Sequence, residues 1–151
     1  MHEAHHAAAL CLLGMVPKCV RTDWPAPDLF GTVTIDWCDG PDRDTAGRVL
    51  LAVVLGGMTE GHKGWRSWPI NPDRVAVGAG RDAEQARTLA NYLKLDNAGW
   101  LHVLWKANQL GRRQDFRRLA VLIADELERV EVLTAEDLER LMTRDAEAAA
   151  A

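Results

Sequence analysis

Ala46, Val49, Leu50, Val53 and Val54 recur at i, i+3, i+4, i+7 and i+8, the spacing that lines up apolar side chains on one face of an α-helix. Leu51 and Ala52 widen that face. A helix over residues 45–55 therefore has little polar surface and must lie deep in a core, surrounded by apolar material from the rest of the chain. That material is present, with hydrophobic residues making up 48% of 151 positions. Such a composition excludes wholesale disorder, and the length matches about one domain. A single domain over residues 1–145 is expected, followed by a frayed Ala-rich tail at 146–151.

The remaining elements follow from their own signals. A helix is expected over residues 2–13, stopped by Gly14 and closed off by Pro17. Residues 20–22 and 31–37 read as short strands on either side of a Pro-rich turn. In the second strand Val33 and Ile35 alternate with Thr32, Thr34 and Asp36, the pattern of a half-buried or edge strand. Residues 38–44 form a loop, and residues 56–80 are loop-rich, with repeated glycines and with Trp65 and Trp68. These tryptophans either anchor the loop on the core or form an apolar wall for substrate side chains. Helices are expected over 82–93, 98–110, 115–130 and 135–142. In the third of these Leu119, Leu122, Ile123, Leu127 and Val130 stand in register, and the last opens on a capping box, Thr134 to Asp137. The fold class is mainly α with a small β-sheet (α+β): an N-terminal helix beside short strands, followed by a C-terminal helical bundle.

Charge and cysteine usage narrow the function classes. Eighteen Lys and Arg against 22 Asp and Glu give a net charge of −4, a poor match to the basic face of a nucleic-acid binder. The run Gly111-Arg112-Arg113-Gln114-Asp115-Phe116-Arg117-Arg118 reads as a solvated face or partner surface. No apolar stretch reaches the roughly 18 residues of a membrane span. Cys11, Cys19 and Cys38 fit neither a disulfide framework nor a zinc knuckle, and are expected as reduced thiols in a cytoplasmic protein. Residues 7–16 have the length of a signal-peptide core, but Glu3 precedes them without any Lys or Arg.

The chemistry-bearing motif is His2-Glu3-Ala4-His5-His6, which contains HExxH as His2, Glu3 and His6. On a helix, positions i and i+4 project to one face, so two imidazoles can hold one Zn²⁺. The intervening glutamate is then near enough to accept a proton from a water attacking a carbonyl. Incidental histidines at the end of a surface helix are the plainer reading. A catalytic zinc needs a third protein ligand, for which His62, His102 and many carboxylates are candidates.

Four segments in order, HEAHHAAALCLLG, GTVTIDW, VLLAVVLGGMTEG and GAGRDAEQARTLANYL, resemble the peptidase domain of the FtsH family of zinc metallopeptidases. That family reads HEAGHA, an LGxT-like strand, a hydrophobic helix ending in LGGRAAE, and GAxxDLxxAT. The resemblance runs from His2 to about Met142. It implies a zincin-like fold with His2 and His6 as zinc ligands, Glu3 as general base and Asp82 as third ligand. Read from its own neighbours, Asp82-Ala83-Glu84-Gln85 is also a capping box for the following helix. Gly31, Thr32, Val33 and Thr34 match the family's edge strand, which would hold an extended polypeptide by main-chain hydrogen bonds; a half-buried strand without ligand is the other reading. Gly56-Gly57 would let the buried helix pass close to the metal-bearing one.

The sequence departs from the family in lacking GxxxxGK[ST], so the ATPase that unfolds substrates is missing from this chain. Peptides or flexible segments are then the expected substrates, unless an ATPase partner acts in trans. The resemblance also admits self-association. His5 stands where the family has glycine, and His2 directly follows Met1, so the first ligand sits in the opening turn, where helix N–H groups are unsatisfied. A catalytically inactive interaction module or adaptor that keeps the fold is the competing expectation.

Overall fold

The computed structural model describes residues 2–22, 32–35, 42–60 and 80–150. Helix α1 spans His2–Leu12 and is rich in alanine, the best helix former. Ala4, Ala7, Ala8, Ala9, Leu10 and Cys11 are buried. Its end is set by Gly14 in the left-handed region at φ 77°. There the Met15 N–H donates to the Leu10 carbonyl (2.9 Å) and the Gly14 N–H to that of Cys11 (3.0 Å), the paired bonds of a Schellman stop. Burial pushes the Cys11 thiol up to about 12, so it stays protonated; Cys11 and Cys19 are both free thiols.

Three short strands, β1 (Cys19–Arg21), β2 (Thr32–Thr34) and β3 (Val132–Thr134), form an antiparallel sheet in the order β2-β1-β3. Val20 lies opposite Val33 on one side and Leu133 on the other. Val20 and Leu133 are fully buried, so this row faces the core. The sequence reading placed β1 one residue later and gave no sign of β3. Three residues between two helices are too few for an alternation to show, and β3 exists only because it pairs with the distant β1.

β3 is flanked by α5 (Gln114–Val130) and α6 (Ala135–Ala150), which pack on each other. The turn out of α5 is made by Glu131, at φ 62°. Its N–H donates to the Leu127 carbonyl (2.8 Å), and its carbonyl accepts from the Thr22 N–H (2.8 Å). A non-glycine residue in the left-handed region costs about 1 kcal/mol, and an anion at a helix C-terminus adds a few tenths more. Glu131→Gly is therefore expected to raise unfolding stability by about 1 kcal/mol, read as a higher denaturant midpoint at unchanged slope.

The capping box of α6 forms as expected. The Thr134 N–H and hydroxyl both donate to Asp137 Oδ2 at 2.8 Å, and the Asp137 N–H donates back to Thr134 Oγ1 at 3.3 Å. These bonds, the Thr134 N–H first, hold the Asp137 carboxyl below its ordinary value. Helix α6 does not stop at Met142 with a frayed tail but continues to Ala150. Alanine favours the helix, and Arg118 Nε donates to the buried Asp145 at 2.8 Å, tying this stretch to α5.

The molecule divides into two compact units. The first holds α1 apart from His2, the three strands, α5 and α6; the second holds His2, α2 (Arg43–Glu60), α3 (Gly80–Leu93) and α4 (Asn97–Arg112). The C-terminal helices, expected as one bundle, are thus shared between them. In the second unit α2 packs against both α3 and α4. Its start is capped by Asp42, whose carboxylate accepts from the Thr45 N–H (2.8 Å) and hydroxyl (3.0 Å). The apolar face read from the sequence, Ala46, Val49, Leu50, Val53 and Val54, is buried, with Ala46 and Leu50 fully so.

Helix α2 runs five residues past the expected end at Leu55, through Gly56-Gly57, to Glu60. Glycine in a helix costs about 1 kcal/mol against alanine, but continuing the helix buries Met58, worth about 1.5–3 kcal/mol. The Trp65 and Trp68 loop lies outside the described residues. The structure is mainly helical with one small antiparallel sheet, as the sequence predicts, and no described helix is long and apolar enough to cross a membrane.

Candidate metal centre

His2 and His6 are four residues apart on α1, so helix geometry alone sets both imidazoles on one face. His6 is buried and His2 half-buried. Asp82 enters from α3. That helix begins at Gly80, two residues earlier than expected, so Asp82 is already inside its first turn rather than capping it. The carboxylate is engaged elsewhere: His2 Nε2 and Asp82 Oδ2 are 2.9 Å apart, in a site where the two side chains are 24% and 21% exposed.

One ligand atom from each of His2, His6 and Asp82 lies within 4.8 Å of the other two. Two imidazoles and one carboxylate suit Zn²⁺, and bonds of 2.0–2.2 Å in tetrahedral geometry put ligand atoms roughly 3.3–3.6 Å from each other. The His2–Asp82 pair stands just inside that spacing, and the widest separation requires about 1 Å of side-chain adjustment. These three side chains form a group that could hold a metal ion.

The other residues singled out by sequence have clear places. Glu3 lies in the first turn of α1, half-buried, next to His2 and outside the three-ligand group. His5, one residue round the helix from His6, turns to Phe116, with ring centroids 5.9 Å apart and planes at 31°. It is an aromatic packing residue and no part of the cluster. His102 stands exposed on α4, stacked on Trp105 at 5.9 Å, and His62 lies outside the described residues. Thr32, Val33 and Thr34 form the edge strand β2; Gly31 lies outside the described residues, and so does the expected continuation of the strand beyond Ile35. In the arginine run, Arg113 pairs with Asp115 at 2.5 Å and Arg118 with Asp145 at 2.8 Å. These two guanidinium groups are thus committed to carboxylates within the chain.

One long-range contact in the second unit escaped sequence reasoning. Arg43, at the start of α2, donates from Nη2 to the carbonyl of Leu93 at the end of α3 at 2.7 Å. Its partner is 50 positions away, and nothing local in the sequence announces the bond.

Comparison with protein-family models, with curated proteins and with solved structures finds no match for this chain.

Proposed function

We propose that this protein is a zinc-dependent endopeptidase of the FtsH type, with His2, His6 and Asp82 holding the metal and Glu3 serving as general base. The observation that carries the reading is the meeting of Asp82 with the two histidines of α1. The motif by itself supplies only a pair of imidazoles, and the third ligand had to come from eighty positions away.

Zn²⁺ held by these three side chains would supply Lewis acidity toward a peptide carbonyl and make a neighbouring water easier to deprotonate. His2 and His6 contribute neutral nitrogens and Asp82 one negative charge, which leaves the site cationic when loaded. Glu3 accepts the proton of the attacking water and returns it to the departing amine, so the peptide bond is cleaved with no net proton change at the carboxylate. Strand β2, at the edge of the described sheet, offers the main-chain groups that face away from β1 to an extended polypeptide, which suits unfolded or flexible substrates with loose sequence preference. An ATPase acting in trans would widen that range to folded proteins, and free Cys11 and Cys19 fit a reducing, cytoplasmic setting.

The deciding experiment is metal analysis of purified protein together with cleavage of casein or a quenched peptide. One zinc per chain is expected, lost in His6→Ala, with cleavage that chelator abolishes and added zinc restores. Folded protein without zinc affinity would instead identify a non-catalytic module that keeps the fold.

A further inference from the structure

Helix α4 packs on α2 and buries Leu104, Ala107, Leu110 and Gly111. At about 100° per residue, Ala98, Leu101, His102, Trp105, Gln109 and Arg112 gather on the opposite side, and all six are exposed. Such a face is ordinarily polar, because nothing inside the fold rewards an apolar side chain there. Leu101 and Trp105 nevertheless stand one turn apart, 51% and 49% exposed. The other large apolar side chains exposed among the described residues are Tyr92, Val121 and Val130. Tyr92 belongs to α3, and Val121 and Val130 lie on opposite sides of α5. Single exposed apolar residues are normal on a protein surface, whereas neighbouring ones mark an interaction site.

The indole is already held for contact. His102 stacks on Trp105 with ring centroids 5.9 Å apart and planes at 20°, so less side-chain entropy is lost when a partner covers it. The charges beside it share one sign. No Asp or Glu occurs from Asn97 to Gln114, although the whole chain carries a net charge of −4. Lys106 and Arg112 are exposed, and among the described residues neither pairs with a carboxylate. Arg113 and Arg118, by contrast, are paired. The helix dipole accounts for Arg112, in the last turn of α4. It does not account for Lys106, in the body of the helix beside Trp105.

We infer that the outer face of α4 docks an acidic polypeptide segment carrying large apolar side chains, with Trp105 as the central anchor. Apolar side chains of such a segment cover Leu101 and Trp105, and its carboxylates meet Lys106 and Arg112 at the rim, where charge selects the partner and its direction. Trp and Arg are the residue types that carry most binding energy at interfaces. A second copy seated face to face would instead bring the Lys106 and Arg112 of both chains together, with no acid on that face to offset them. A nucleic-acid strand asks for a row of cations along its phosphates, and this face offers two beside an apolar centre. The inference goes beyond the metal reading and stands without it, since every residue it uses lies on one helix of the second unit.

The test selects a displayed library of random peptides, each as long as α4, against the full chain. The selected peptides are expected to be rich in Asp and Glu and to carry Leu, Phe or Trp. The tightest of them, synthesised and labelled, is expected to bind the wild type at least about tenfold more tightly than Trp105→Ala. A variant with both Lys106→Glu and Arg112→Glu is expected to bind it several-fold more weakly than the wild type, a difference that closes as salt is raised. Helix content and unfolding midpoint should stay at wild-type values, because all three side chains are exposed. If Trp105→Ala does not fold, Leu101→Ser is read in its place. Peptides that are neutral or basic, that bind Trp105→Ala as tightly as the wild type, or that fail to emerge at all overturn the inference. Binding of oligo-dT, or self-association in sedimentation, that is lost in Trp105→Ala gives the face to a nucleic acid or to a second copy and overturns it equally.

Discussion

Glu3→Gln is expected to retain one zinc per chain and to lower peptide hydrolysis by roughly a thousandfold, within the range a positioned general base contributes. Glutamine keeps the size of the side chain and one carbonyl oxygen but cannot take a proton at neutral pH. Glu3 lies outside the three-ligand group, so metal affinity has no reason to change. The loss is expected in kcat, since a proton acceptor acts in the transition state and contributes little to binding the ground state. Hydrolysis that persists in Glu3→Gln at the wild-type rate would remove Glu3 from the mechanism. Loss of zinc together with activity would recast it as a structural residue of α1.

Asp82→Asn is expected to weaken zinc binding at least roughly a hundredfold, more than changes behind the ligands typically cost. Asparagine preserves the shape of the side chain and its capacity to bond backbone N–H groups in the first turn of α3. It removes the negative charge and most of the metal affinity of the oxygen. The fold should hardly notice, because the His2–Asp82 pair is partly solvated and such pairs contribute up to about 1 kcal/mol. A helix-end role predicts the opposite pattern: unchanged zinc binding and a loss of a few tenths of a kcal/mol from the helix dipole. Isothermal titration with zinc and a denaturant curve on the same sample separate the two.

The same three side chains show how far a sequence can be read. The spacing of His2 and His6 is a property of the α-helix itself, so their shared face was legible in five letters. Asp82 was not legible in that sense. Its neighbours suggested a cap, and only the resemblance of GAGRDAEQ to a family pattern singled it out. In the structure the helix starts at Gly80, and the carboxylate turns to His2. Arg43 was invisible altogether, since a guanidinium donating to a backbone carbonyl demands nothing of the residue type at position 93.

Periodicity told the sequence most about the fold. The apolar face of α2, the leucine face of α5 and the Thr134–Asp137 cap each depend on residues within two or three turns of one another; the first and the last are present as read, while on α5 Leu119, Ile123 and Leu127 are buried, Leu122 is half-buried and Val130 is exposed. Where local signals were overruled, burial was the reason: α2 continues through Gly56-Gly57 to bury Met58, and α6 continues past Met142 to bury Asp145 beside Arg118. Strand β3 and the division of the C-terminal helices between two units were decided by tertiary pairing alone. Helical faces and caps are fixed by contacts a few residues long, and the sequence carries them in full. The partner of β3, the bond from the start of α2 to the end of α3 and the third ligand are fixed by contacts fifty to more than a hundred positions apart, and those exist only once the chain has closed on itself.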